Sequence, residues 1–254
     1  MNVLLLLCVL FSLGEIGIGY SWKYPRNADQ TLWAYRTCQR EGKNQELVKK
    51  WMNWELPNDA ETHCYVKCVW INLGSYDNKK GSIKIDKVKK QFSSRNLEIP
   101  AGLNEIGGST SGSCEDVYKK TIAFFKNEKT NLQKAYYGTK EESNNWYSKN
   151  PETKPKGVKI SAFCKDKNRE GGKEGTCKHA CSMYYYRLVD EDNLVIPFRK
   201  LPGISEPDLK ECRDAASTKT GCKVADEIYE CLDNANSKGF RDALKKLDDE
   251  SSVY

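Results

Sequence analysis

Two short motifs hold the residues best suited to chemistry. In each, two cysteines stand four positions apart with a histidine beside or between them: His63-Cys64-x-x-x-Cys68 and Cys177-x-His179-x-Cys181. Thiolate and imidazole at such spacings serve as zinc ligands. Paired with other cysteines, the same sulfurs serve as halves of disulfides. Redox compartment decides between the two. Val3 to Leu13 is an apolar run too short to span a bilayer. Gly17-Ile18-Gly19 then offers the small residues of a signal-peptidase site, so residues 1–19 are predicted to be a signal peptide. Secretion favours disulfides. Eleven cysteines less Cys8 of the leader leave an even set of ten, enough for five bridges. Neither a metal nor a cofactor is expected. Catalysis has little to work with. The chain has only two histidines, both beside cysteines, whereas a nucleophile–histidine pair needs one freed into a cleft. Glu141 and Glu142 read as solvated helix residues, so no enzyme is expected.

The elements that must position these motifs read as helices. On a helix, residues four apart share a face. Cys64 and Cys68 can thus tie one turn to two other elements and make that helix a hub. Asn58 and Glu61 suit its N-cap and third position. Ser113 with Asp116, Thr139 with Glu142, and Ser205 with Asp208 around Pro207 mark further starts. Tyr118, Ile122 and Phe125 follow Cys114 along one face. Cys177, Cys181, Tyr184 and Leu188 recur at helical spacing, as do Val224, Ile228 and Cys231. Long alternating strand patterns are absent.

Loops are expected at Gly107 to Gly112, at Lys149 to Lys159 and at Glu170 to Gly175. The first is Gly/Ser/Thr-rich and reads as flexible. The second, with Pro151, Pro155 and Gly157, is the expected domain boundary, and its lysines read by default as solvated. A weak repeat crosses it. Each half has Cys-x-x-x-Cys, an Asp nine residues later (Asp77 and Asp190), and then a Cys opening a helix (Cys114 and Cys222). With 254 residues the chain has room for two modest cores. Its net charge of +6 is mixed in sign along most of the length and supports no more than a weak preference for anions. No nucleic-acid module, later membrane-length segment or Asn-X-Ser/Thr sequon is present.

The pattern of Cys38, then Cys64-x-x-x-Cys68, then a helix opened by Cys114 resembles insect odorant-binding proteins. Within that superfamily it is similar to the long-form D-seven salivary proteins of blood-feeding flies, the sand fly type. The run Trp51-Met-Asn-Trp54-Glu-Leu-Pro57, then His63-Cys-Tyr-Val-Lys-Cys68 and Tyr76-Asp77, carries that likeness. The resemblance implies an all-α fold of two disulfide-bridged, odorant-binding-like domains. Residues 20–148 would form the first, 149–160 a linker and 161–254 a reduced second domain. It implies the pairs Cys38–Cys68 and Cys64–Cys114, then Cys164–Cys181, Cys177–Cys222 and Cys212–Cys231. The residues alone leave the last three open, since six cysteines allow 15 pairings.

The resemblance also implies a role. Such proteins are secreted in saliva and hold host mediators at a bite, which counters inflammation, vasoconstriction and platelet aggregation. The first domain takes lipid mediators, cysteinyl leukotrienes and thromboxane-like eicosanoids; in some members the second takes biogenic amines. The family's lipid site has a Trp ten residues before the second Cys, which is Trp54 here. A Lys and a Phe near the junction complete it, for which Lys159 and Phe163 are the nearest matches, with Lys156 beside them. Its Tyr just after the third Cys is Val69 here, which leaves Tyr65 or Tyr136 to meet a ligand hydroxyl. An amine site in the second half would draw on Asp226, Glu227, Tyr229 and Glu230, and no tight amine binding is expected there. The rival readings are a protein inhibitor of a clotting or complement factor, acting through loops such as Gly107 to Gly112, and a carrier of semiochemicals. The partners expected are small lipids, neither nucleic acid nor membrane, and the chain is expected to be a monomer.

Overall fold

The computed structural model describes residue 20, residues 22–166 and residues 177–252. The expected leader and the Glu170 to Gly175 loop lie outside the described residues.

Capping residues set most helix starts. Helix α1 (Ala28–Arg40) opens on a capping box in which Asn27 and Gln30 satisfy each other's backbone N–H. Asn44 caps α2 (Gln45–Met52), Ser113 caps α5 (Cys114–Asn127) and Thr139 caps α7 (Lys140–Lys149). For α3 (Ala60–Leu73) the cap is Asp59, one residue later than expected, and its Oδ1 accepts from Thr62 N at 2.9 Å. Asn58 instead turns its Oδ1 to His63 Nε2 at 2.7 Å. A two-residue antiparallel hairpin, β1 (Tyr76–Asp77) with β2 (Ser82–Ile83), follows α3 and pairs Tyr76 with Ile83. Then come α4 (Ile85–Ser94), a 3-10 turn over Ala101–Ile106, and α6 (Lys129–Ala135) between α5 and α7. The loop expected to be flexible is pinned: Thr110 N and Oγ1 both donate to Gly81 O.

The second half has α8 (Ile160–Asp166), α9 (Ala180–Tyr185), α10 (Glu206–Ala216) and α11 (Lys223–Ser251). Ser205 caps α10, with Pro207 in its first turn. Helix α9 is shorter than the spacing suggests. Cys177 precedes it and Leu188 follows it, because the chain turns left-handed at Arg187 (φ 60°). Helix α11 breaks at Asn236, whose side-chain oxygen accepts from Gly239 N at 3.0 Å. A Cβ on Gly239 would lie 2.6 Å from that side chain, so a larger residue there would displace the Asn236 amide.

All five bridges form. Cys38–Cys68 and Cys64–Cys114 tie α3 to α1 and to α5, so α3 is the hub. Cys164–Cys181, Cys177–Cys222 and Cys212–Cys231 staple the second half. These sulfurs are spent in bridges and are not thiolates, which removes the zinc reading of both Cys-x-x-x-Cys motifs.

Two hydrophobic clusters fill the interior. The first gathers Trp22, Trp33, Trp51, Trp70, Phe92 and neighbours, the second Ile160, Met183, Leu209, Ile228 and Phe240 among others. Polar bonds join the halves. Arg187 and Asp29 form a buried ion pair, and Tyr20 donates to Asp190 at 2.9 Å.

One junction lysine departs from the solvated role expected of all three. Lys154 is buried, and its Nζ donates to Val158 O at 3.0 Å and Ser251 O at 3.2 Å. It closes the exposed carbonyls at the end of α11. Burial pushes its pKa down to about 8, against the pull of Asp29. In the unfolded chain a lysine holds its proton to about 10.4. Between about pH 8 and 10 the unfolded state therefore binds more protons, and stability contributed at this site rises with pH. The wild type should gain stability relative to Lys154→Met when urea midpoints are compared at pH 7.5 and 10. A gap that stays constant counts against this placement.

Candidate functional site

The side chains of an apolar chamber come from five places, one of them α2, which gives Trp51. Helix α1 gives Tyr35, α3 gives Tyr65, Val66 and Val69, and α5 gives Phe125. The link between α2 and α3 gives Trp54 and Leu56. Tyr65 and Val69 share a face of α3 through their i, i+4 spacing. The link is shaped to aim Trp54 inward. Trp54 takes a left-handed conformation (φ 57°), its N–H closes a turn onto Trp51 O, and Tyr118 Oη anchors Leu56 O at 2.9 Å. The indole meets Tyr35 edge-on at 5.5 Å and Phe125 at 6.4 Å. Gly138 lies against it, and a Cβ there would meet the indole at 2.3 Å.

The room inside is about 20 Å³, near the volume that admits one water. Little room is left, because the rings of Trp54, Tyr65 and Phe125 occupy the chamber. The partition is thin. Trp51 and Tyr65 stack flat at 4.4 Å and line both this chamber and an outer cleft of about 260 Å³ edged by Cys38, Gly42, Lys43 and Glu61. Parting that stack would join the two spaces into a volume near the ~300 Å³ lower end of ligand pockets.

Charge gathers by the Tyr65 hydroxyl. Burial pushes the Tyr65 pKa up to about 12, outweighing a hydrogen bond with Gln39 and the charge of Arg36. Arg36 is half-buried on α1 and donates to Gln39 Oε1 at 2.9 Å. Lys156 donates to Asn144 Oδ1 at 2.9 Å and lies over the Tyr147 ring at 4.9 Å. Partial burial holds its pKa below the ordinary lysine value, and the two charges acting on it, Arg36 and Lys140, are both positive and push the same way. A cation that acts on both the Tyr65 hydroxyl and Lys156, as Arg36 does, suits an anionic group.

Residues 27–121 match the PBP/GOBP family. Over 245 residues the chain is 56% identical to a long form salivary protein, D7LC, of Phlebotomus papatasi, and the match covers 96% of each chain. The chain belongs to the long-form D7 salivary protein family. The solved native D7 protein from Phlebotomus duboscqi superimposes with a TM-score of 0.84 at 51% identity, covering 92% of this chain and all of that one. A more distant fold neighbour, at 19% identity and TM-score 0.71 over 91% of this chain and 92% of that one, was solved as a D7 protein in complex with leukotriene E4. The relatives are salivary proteins, and PBP/GOBP proteins bind ligands and are not enzymes.

In this long-form D7 chain the site residues named from the sequence divide. Trp54, Tyr65 and Val69 meet in the chamber, whereas Lys156 is outside its lining, bonded to Asn144 and over the Tyr147 ring. Lys159 and Phe163 do not reach it. Lys159 is exposed and pairs with Asp249 at 2.5 Å, while Phe163 packs on Tyr185 at 5.4 Å in the second cluster. Helix α8 carries Phe163 inward on the second half, past the junction where its sequence position suggested a shared wall. Tyr136 is buried outside the chamber lining, its hydroxyl 3.4 Å from Ser75 Oγ beside Tyr24, so it has no path to a ligand there. Tyr35, Arg36 and Phe125 were missed. The Phe125 signal was present in the apolar face of α5; Arg36 carried none. In the second half Asp226 accepts from Lys178 N and His179 N, and Tyr229 stacks on His179 at 3.5 Å. Those two groups are committed to local structure, away from the open pairing an amine needs.

Proposed function

We propose that this chain is a secreted salivary scavenger of host lipid mediators, cysteinyl leukotrienes foremost, held in its first half. Sequestering them would blunt inflammation and vasoconstriction, and thromboxane-like eicosanoids would extend the effect to platelet aggregation. The observation that carries the reading is an aromatic, apolar chamber whose Tyr65 hydroxyl feels the charge of Arg36, the cation that also acts on Lys156. Apolar and cationic parts together match an eicosanoid, which is an acyl chain ending in a carboxylate. The family's salivary setting and the neighbour solved with leukotriene E4 support the same class.

The energetics require both parts. Burying about ten methylenes gives ~8 kcal/mol at ~0.8 each. A nanomolar complex needs ~12 kcal/mol, and parting the Trp51–Tyr65 stack adds to that demand. The balance must come from charge-assisted bonds to the carboxylate, worth more than neutral ones when partly desolvated.

Isothermal titration of the mature chain with leukotriene E4 tests this. Arg36→Glu and Lys156→Glu should each weaken binding by about tenfold or more, the loss of one charge-assisted contact plus a repulsion. Lys156 is exposed, so its variant folds even where Arg36→Glu does not. Lys159→Glu should leave affinity unchanged, since that ammonium serves Asp249. If wild type fails to bind leukotriene E4, or both charge reversals bind it as wild type does, the reading is wrong.

A further inference from the structure

The positive charge of the chain is concentrated in one place. Residues 79–90 hold six lysines, Lys79, Lys80, Lys84, Lys87, Lys89 and Lys90, and a single carboxylate, Asp86. That surplus of five compares with a net charge of +6 for the whole chain. Elsewhere cations and carboxylates nearly cancel.

The fold keeps these lysines together. Lys79 and Lys80 form the tip of the hairpin, where their backbone N–H groups both donate to Asp77 Oδ1, at 2.9 and 3.0 Å. Lys84 leads from β2 into α4, and its N–H donates to Ser75 O at 2.8 Å. On α4 the buried residues are Val88, Gln91 and Phe92. At 3.6 residues per turn this puts Lys90 on the outer face and Lys87 and Lys89 on its two flanks. Lys90 is exposed and the other two are half-buried.

Little of this charge is used internally. Among the described residues the ammonium groups of Lys80, Lys84, Lys89 and Lys90 make no ion pair and no hydrogen bond. Asp77 acts on Lys80 and Lys84 through space only, and Lys87 stands over the Tyr24 ring at 5.7 Å. The elements packed against α4 add little of the opposite sign. Helix α6 has lysines and no carboxylate, and the 3-10 turn has Glu105 alone. Arg95, just past the end of α4, is spent on Glu142.

We propose that the hairpin tip and α4 form a docking surface for a linear sulfated polysaccharide. Ammonium groups are point charges without the planar fork of arginine, and they suit single anions repeated along a flexible chain. Such a chain can follow lysines that spread from the hairpin tip over the outer face and both flanks of α4. A flat bilayer meets only one line of them. A membrane surface would also call for an apolar side chain to insert, since basic charge alone holds weakly. Met52, Leu194 and Phe198, the exposed large apolar residues among those described, all lie outside residues 79–90. That stretch contains no aromatic residue on which nucleic-acid bases could stack. The surface shares no residue with the lining of the Trp54 chamber, so a docked chain leaves the chamber open to its own ligand.

Titrating the mature chain with a heparin fragment of defined length tests the proposal. Affinity should fall about 100-fold as salt rises from about 50 to 200 mM, the counterion release expected of about five contacts. The double variant Lys80→Glu/Lys90→Glu, altered only at exposed side chains, should weaken heparin at least about tenfold at the lower salt. Neutral Lys80→Gln/Lys90→Gln should give a smaller loss in the same direction. Lys223→Glu/Lys238→Glu makes the same change in net charge on α11 and should leave heparin affinity near that of the wild type. Urea midpoints confirm that each variant is folded. Phosphatidylserine-containing vesicles, and a single-stranded oligodeoxythymidylate matched to the heparin in charge, should both bind more weakly than heparin. Absence of heparin binding, equal losses in the two charge-reversed variants, or tighter binding to the vesicles or the oligonucleotide would each overturn it.

Discussion

Asp29→Ala should lower the unfolding free energy by about 3–5 kcal/mol, the cost of leaving one partner of a buried ion pair without the other. Arg187 and Asp29 each expose only 2% of their side chains. Asp29 is also the acceptor for Tyr147 Oη at 3.1 Å. The guanidinium lies over the Tyr184 ring at 4.6 Å and the Trp33 ring at 5.6 Å, where water cannot replace a lost carboxylate. Its position is fixed by a left-handed backbone at φ 60°, so the side chain cannot swing out cheaply. Asp29→Asn keeps the acceptor for Tyr147 but not the charge and should fall between. The informative control is the double change Asp29→Leu/Arg187→Leu. Replacing both charges by apolar groups is often nearly neutral, so the double variant should be more stable than Asp29→Ala alone. Urea midpoints with a common slope check all three. An Asp29→Ala loss under 1 kcal/mol would mean that the pair does not hold α1 against the segment after α9.

That pair was invisible in the sequence, and the reason is general for this molecule. Patterns within one element were legible. The i, i+4 cysteines marked α3, and Ser113, Thr139 and Ser205 marked their helices, while Trp54, Tyr65 and Val69 came from the family likeness. Capping and periodicity are local, and local signals survive in a single chain. The family likeness carried the bridges that spacing could not choose among. What failed needed two distant segments. Asp29 and Arg187 are 158 positions apart, and neither stands in a motif. Lys154 looked like any linker lysine, yet the end of α11 draws its ammonium inward. Lys159 and Phe163 stood at the right distance along the chain, but α8 turns them to Asp249 and Tyr185. Helix α9 stopped early because Arg187 adopts a conformation that side-chain type does not announce. The single-residue slip from Asn58 to Asp59 is of another kind: both are good caps, and His63 claims the first.

Removing the Cys64–Cys114 bridge, by Cys64→Ala/Cys114→Ala, should cost about 4 kcal/mol. The bridge closes a loop of sequence separation 50, and the chain-entropy relation gives ~4 kcal/mol for a loop of that length. The Cys38–Cys68 bridge closes a separation of 30, for which the same relation gives ~3.6 kcal/mol. By stability alone the two are nearly equal, and both are large against the 5–15 kcal/mol that domains usually have. Their positions make them differ in function. Cys64–Cys114 joins α3 to α5, the helices that bring Tyr65, Val66 and Val69 to face Phe125 across the chamber. Without it, what fixes the separation of those walls is packing such as Trp70 on Phe125 at 5.2 Å and the Tyr118–Leu56 hydrogen bond. Cys38–Cys68 joins α3 to α1, which supplies the chamber only with Tyr35. Leukotriene E4 affinity should therefore fall further on losing Cys64–Cys114 than on losing Cys38–Cys68, measured at a temperature where both variants remain folded. The reverse order would place the binding wall at the outer cleft. Equal affinities with unequal urea midpoints would show that the bridges stabilise the fold without shaping the chamber.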